Sequence, residues 1–293
     1  MRRISIILFC ALPVTACAVD TELDTSTDTA DLDSQGGGHA EPVGARVHLA
    51  RGQAKPDSGG VGGACASPLV YHGGPVMTAG AYVEPIFWGT TWNSPGDKIT
   101  GIQSFYAGMG GTSYDLTNSE YTQTGGAHVG STVTLGPTHT DLTAASGGAK
   151  TATIFNEVCK VITNPRADGY YPVYTDKPRG NAGYCAWHSA GTCKGVTIQF
   201  AFFWKLDGDA GCDPADTSGL HSQGLAALAN VTGHELSEAL TDNQLNAWYD
   251  ASGAENSDKC AWTFNGLSTF SNGSKWKIQG NYSNAICGCA YGH

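Results

Sequence analysis

The sequence predicts an α+β domain: a mixed-sheet lobe, one long motif-bearing helix and a smaller C-terminal lobe stapled by disulfides. Three observations lead there. Strand-like and helix-like runs alternate along the middle of the chain and then give way to a loop-rich tail. The longest helical pattern ends in His234-Glu235-Leu236-Ser237-Glu238. Eight cysteines, an even number, follow Cys17.

Met1-Arg2-Arg3 and the apolar run Ile4 to Leu12 read as a leader, too short to span a bilayer. Val14-Thr15-Ala16-Cys17 fits a bacterial lipobox, so residues 1–17 are expected to be a signal peptide and Cys17 the lipidated residue. The mature chain is then extracytoplasmic, either a cell-envelope lipoprotein or extracellular. Contact with a membrane is expected only through that anchor. Residues 18–65 read as a disordered acidic, glycine-rich linker: six carboxylates lie between Asp20 and Asp33, and four glycines lie between residues 59 and 63. The acidic stretch supplies most of the formal net charge of −10. No basic patch suggests a nucleic acid partner. Residues 66–293 are expected to form the domain, as a monomer.

Within it, Ala81 to Trp88 reads as a strand. Asp97 to Gly108 reads as a helix, with Ile99, Ile102, Phe105 and Tyr106 at helical spacing and Asp97 able to cap it. Val129 to Leu135 alternates as a strand. Lys150 to Ile162 carries Ile154, Val158 and Val161 on one stripe. Tyr170 to Tyr174 and Val196 to Trp204 read as strands, the second apolar enough to be buried on both faces. Thr217 or Ser218 could cap a helix from Gly219 to about Thr241. The tail from Asn243 is loop-rich, with short strands expected around Cys260 to Phe264 and Lys275 to Gln279. An oxidising compartment makes disulfides the expected state of the cysteines. Cys185 and Cys193 could close a short loop, and Cys260 could pair with Cys287 or Cys289.

On a helix, His234 and Glu238 share a face and can reach one ion, while Glu235 lies between them, placed to take a proton from an attacking water. This order of elements suits a zincin-like metallopeptidase fold, with the helix as the floor of a cleft. Asp242 is two helical turns, roughly 12 Å, beyond His234 and too far to share the ion on an unbroken helix. A metzincin pattern fails, because Leu240 and Gln244 occupy its glycine and final-ligand positions and the only methionines are Met1, Met77 and Met109. Glu255 is the expected third metal ligand, with Asp258 orienting His234. His188, Tyr249 and Tyr282 are candidate oxyanion donors by residue type. Zinc is the expected ion, although an oxygen-rich donor set also suits manganese or iron. A peptide or protein is the expected substrate. The rival reading is a non-catalytic extracellular protein with a structural metal; the many tyrosines and tryptophans leave carbohydrate binding as a third.

Val70-Tyr71-His72-Gly73-Gly74-Pro75-Val76, the strand ending Phe87-Trp88-Gly89, Tyr184-Cys185-Ala186-Trp187-His188-Ser189, and the run from Gly233 through Asp242, Asn246-Ala247-Trp248-Tyr249 and Glu255 to Cys260 together resemble the phosphate-induced protein 1 family. That family includes the plant EXORDIUM proteins. The likeness spans roughly residues 68 to 265 and is to a branch that carries the metal motif. It implies an extracellular or cell-wall-associated protein with a zincin-like core. The chain departs from the family at Asn243, where a proline is common, and in its lipobox.

Overall fold

The structure is a computed structural model and describes residues 42–53 and 65–291. These lie within the unit Gly38–His293; the expected leader and Cys17 fall outside the described residues. In chain order the elements are β1 (Arg46–Leu49), β2 (Val70–Tyr71), β3 (Ala81–Val83), β4 (Ile86–Trp88), α1 (Lys98–Met109), α2 (Ser113–Leu116), β5 (Val133–Leu135), β6 (His139–Asp141), α3 (Thr151–Val161), β7 (Gly169–Pro178), β8 (Tyr184–Cys193), β9 (Val196–Lys205) and α4 (Gln223–Thr241). The tail adds β10 (Trp248–Tyr249), β11 (Ser268–Thr269), β12 (Lys275–Trp276), β13 (Asn281–Ser283) and β14 (Gly288–Ala290).

One eight-stranded sheet runs in the order β1-β8-β9-β7-β3-β5, with β4 beside β7 and β6 beside β4. Pairings from β9 through β7 to the far edge are parallel, whereas β8 and β1 are antiparallel additions at the other edge. The strand expected over Ala81–Trp88 is divided into β3 and β4 at Glu84-Pro85, since proline has no N–H for the ladder. Both halves pair with β7. Only Val133–Leu135 of the expected Val129–Leu135 strand joins the sheet.

Several strands were not expected, and two of them, β8 and β1, bear on the site. β8 escapes the sequence pattern because its apolar residues are interrupted by Ala186, His188, Ser189 and Gly191. β1 lies inside the stretch read as linker, and its pairing with β8 corrects that boundary: residues 42–53 belong to the fold.

Side chains alternate between the sheet faces. On β9, Phe200 packs against Phe155 of α3, and Phe202 stacks on Trp187 at 5.5 Å. Phe203 faces the other way, stacking at 4.5 Å on Tyr174, whose hydroxyl meets Thr232 of α4 at 2.9 Å. Helices therefore cover both faces. Register carries this alternation outward: His188 lies opposite Ala201, Arg46 opposite His188, and His48 opposite Ala186. All five stand on the α4 face.

α4 begins at Ser222, whose hydroxyl accepts from the N–H of Leu225 at 3.2 Å, so the cap lies after Thr217 and Ser218. Asp97 caps no residue of its own helix; its carboxylate instead accepts from the N–H and hydroxyl of Ser222, tying the start of α4 to α1. Every residue from Gly224 to Thr241 is buried. A Cβ on Gly233 would lie 3.1 Å from the Tyr114 hydroxyl and 3.3 Å from Phe105, which explains a glycine just before His234.

The disulfides are Cys65–Cys287, Cys159–Cys193, Cys185–Cys212 and Cys260–Cys289. Cys260 takes one of its two expected partners. Cys185 and Cys193 do not pair: both lie on β8, and eight residues of extended strand separate their Cα atoms by roughly 26 Å.

Tyr106, Tyr174 and Thr232 form a buried hydroxyl chain, 2.8 Å and 2.9 Å long, that joins α1, the sheet and α4. Tyr174→Phe keeps the ring stack but leaves two buried hydroxyls without their shared partner. The expected loss is about 1–3 kcal/mol, read from the denaturant midpoint.

Candidate metal centre

A helix buried on all sides leaves its polar residues no access to water, so each needs a partner in the protein or a ligand. Asn230, Thr232, His234, Glu235, Ser237, Glu238 and Thr241 are all in this position. Ser237 and Asn230 are tied into a network behind α4: Asn281 donates to Ser237 at 3.0 Å, Ser257 to Asn281 at 2.8 Å, and the Gln279 N–H to Asn230 at 2.9 Å. This network fixes the tail against the helix.

His234 and Glu238 share one face, as expected. His234 Nε2 lies 2.9 Å from Glu238 Oε1 and 3.5 Å from Asp258 Oδ1. Asp258 opens a short 3-10 turn, Asp258–Cys260. Its N–H donates to Glu238 Oε1 at 3.1 Å, and its Oδ2 accepts the N–H of Glu255 at 3.2 Å. Asp258, expected behind His234, thus stands beside Glu238 as a donor of the same group. Glu255 turns elsewhere, to His188 Nε2 at 3.1 Å and Arg46 Nε at 4.0 Å.

Two histidines join the cluster. His48 of β1 stacks on His234 at 3.7 Å and lies 4.9 Å from Trp262. His188 of β8 brings Nε2 within 3.6 Å of Glu238 Oε2. His48, His188, His234, Glu235, Glu238 and Glu255 are each 0% exposed. Tyr249 stacks on His72 beneath Arg46, and Lys259 lies over the Tyr282 ring, so both tyrosines are engaged with neighbours.

Many polar atoms here lack a hydrogen-bond partner among the described residues: His234 Nε2, both oxygens of Glu235, Glu238 Oε2, Glu255 Oε1, His188 Nδ1 and both nitrogens of His48. His234 Nε2 approaches Glu238 Oε1 closely without hydrogen-bond alignment. Donor atoms that lie close together yet aim past one another suit a shared third point, and imidazole with carboxylate is a donor set for a divalent cation. Three overlapping groups have the spacing: His48, His234 and Glu235; His188, Glu235 and Glu238; His234, Glu238 and Asp258.

Burial and the neighbouring His234 hold His48 well below the usual imidazole range, and burial, His234 and Arg46 push His188 down to about 3. Burial holds Glu235 and Glu255 well above the carboxylate range, and burial with Asp258 raises Glu238 to about 7. For His234, burial works downward but Glu238, Asp258 and Glu235 outweigh it and raise it. The two buried neutral imidazoles suit ligation; the carboxyl protons are those a cation would displace.

Gln279 decides the state of His234. Its amide nitrogen lies 2.7 Å from His234 Nδ1 and donates to Ser257 O at 2.8 Å, and its oxygen accepts from the Trp262 N–H at 3.3 Å. In this orientation a neutral His234 accepts at Nδ1 and keeps its proton on Nε2. Cation binding through Nε2 requires Nδ1–H to donate instead, which a half-turn of the carboxamide permits, because its two ends have the same shape. That turn exchanges the Ser257 and Trp262 contacts for the cation.

No family model matches the chain, and no similar curated protein or solved structure was found. The resemblance to the EXORDIUM proteins is an expectation from the quoted motifs alone.

Gln279→Leu removes the group that sets the His234 ring. Zinc affinity, measured by competition with a chromogenic chelator, is expected to fall about 10–100-fold. Unchanged affinity would mean that His234 does not ligate through Nε2. A second expectation concerns the loop that delivers Asp258. Asp250 accepts from Ser252 and Ala254 and from Lys259 Nζ at 3.1 Å. Burial opposes its charge, but these bonds outweigh it and hold the carboxyl at about 2, below the ordinary 3.8. A depressed carboxyl stabilises the fold above its unfolded value and loses that contribution as pH falls through the folded value. Stability should therefore decline from about pH 4 to about pH 2, and Asp250→Asn should flatten that limb in urea melts taken across the range.

Proposed function

We propose that this chain is an extracytoplasmic, divalent-cation-dependent hydrolase acting on peptide bonds, covered in this form by its own N-terminal strand. One observation carries the reading. The cluster of unpartnered donors lies beside β8, whose outer edge is already paired antiparallel with an extended segment, β1. Adding an extended peptide to an exposed sheet edge is a recurring mode of peptide recognition. β1 places His48 against His234 and Arg46 against Glu255, so a peptide on that edge would lie over the same donors. The disulfides agree with an oxidising compartment.

His234, Glu238 and Asp258 would hold the cation, which supplies Lewis acidity toward a carbonyl oxygen when bound. The remaining work falls to the protein. Neither oxygen of Glu235 has an aligned side-chain hydrogen-bond partner among the described residues, and either can take the proton of an attacking water, then return it to the leaving amine. Gln279 and Ser257 hold His234 and the tail in place. Arg46 and the buried walls keep solvent from the donors.

The second reading is a closed structural cation site. The complete burial of the three histidines and three glutamates favours it, since a catalytic site keeps a position open.

The two readings separate in the full chain with a specific protease site placed among residues 54–64 and cut after folding. As a hydrolase, the cut protein should cleave a broad peptide library, and Glu235→Gln should lower turnover by about 10²–10⁴-fold at equal metal content. Equal turnover by the two, or none by the cut wild type, would overturn the hydrolase and leave the structural site.

A further inference from the structure

The cluster holds more donors than one cation uses, and they are arranged in two sets. Glu238 stands between the sets. Its Oε1 lies 2.9 Å from His234 Nε2 and accepts the N–H of Asp258. Its Oε2 lies 3.6 Å from His188 Nε2, which is itself 3.1 Å from Glu255 Oε2. Each oxygen thus faces one imidazole nitrogen, and each imidazole has one further carboxylate beside it: Asp258 on one side, Glu255 on the other. Glu235 falls into groups on both sides, with His48 and His234 and with His188 and Glu238.

We infer that the site is built for two divalent cations bridged by the Glu238 carboxylate, one held by His234 and Asp258, the other by His188 and Glu255. The inference rests on the cation-binding reading above and extends it to the number of ions and to His188 and Glu255.

The unpartnered atoms fall on both sides: His234 Nε2 on one, Glu238 Oε2 and Glu255 Oε1 on the other, and both oxygens of Glu235. The 3.1 Å contact between His188 and Glu255 requires one proton shared between the two groups, and a cation between the same two atoms takes that proton's place. Imidazoles joined by shared carboxylates suit manganese, iron or zinc, and pairs of cations roughly 3.5–4 Å apart are a recurrent catalytic arrangement.

The test counts ions. Full-length protein stripped with a chelator is loaded separately with Zn²⁺ and Mn²⁺, dialysed, and analysed for bound metal per chain. Two per chain is expected, falling to one in His188→Ala/Glu255→Gln and to one in Asp258→Asn. The Mn²⁺-loaded wild type gives a reading that needs no variant: a spin-coupled pair has a paramagnetic resonance spectrum unlike that of isolated ions. One ion per chain with an uncoupled spectrum would overturn the pair while leaving a single cation site at His234, Glu238 and Asp258. No bound ion would overturn both.

Discussion

Three glutamates closed off from water set the terms for everything around them. Glu235, Glu238 and Glu255 lie at the junction of α4, the β8 edge and the tail, where an ionised carboxylate must be matched or must keep its proton. The rest of the architecture follows from that demand. β8 brings His188, β1 brings His48 and Arg46, and the turn after Glu255 brings Asp258. The polar network behind α4 answers Ser237 and the side-chain oxygen of Asn230, which a helix buried all round cannot leave to water.

The division of labour on α4 is clear in its two faces. One face is held rigidly by amides and hydroxyls from the tail: Gln279, Asn281 and Ser257. The other presents His234 Nε2, both Glu235 oxygens and Glu238 Oε2, atoms that no group among the described residues answers. Placing unsatisfied ligands against a hydrogen-bonded wall is the way a rigid scaffold keeps a reactive or binding constellation in register. Gln279 touches both sides of this arrangement, since it joins His234 to the wall and also determines which ring nitrogen is available.

What could be read in the sequence was local. Helical periodicity gave α1, α3 and the course of α4, and the spacing of His234 and Glu238 placed them on one face without knowledge of any partner. The apolar run of β9 signalled its burial on both sides. What could not be read depends on distant pairing. β1 has only four residues and follows an acidic, glycine-rich stretch; its strand character comes from the register with Trp187 and His188, some 140 residues away. His48 was hidden for the same reason. Glu255 and Asp258 were both foreseen near the site, but which of them stands beside Glu238 is decided by the Asp258 N–H bond to Glu238 and by the draw of His188 on Glu255. Cys185 finds Cys212 because β8 is extended and carries it away from Cys193.

The four disulfides among the described residues all join positions from Cys65 onward, and none reaches residues 42–53. Among the described residues, then, no disulfide fastens β1 to the sheet it completes, and chain connectivity is what makes their pairing intramolecular. A single break between residues 53 and 65 would turn β1 into a separate peptide, retained by its four-residue ladder, the His48 stack, the Arg46 contacts and further hydrogen bonds at Val43, Gly44, Leu49, Ala50 and Arg51. Dilution alone would then help to release it, and the donors beneath would open to the solvent on the timescale of that dissociation.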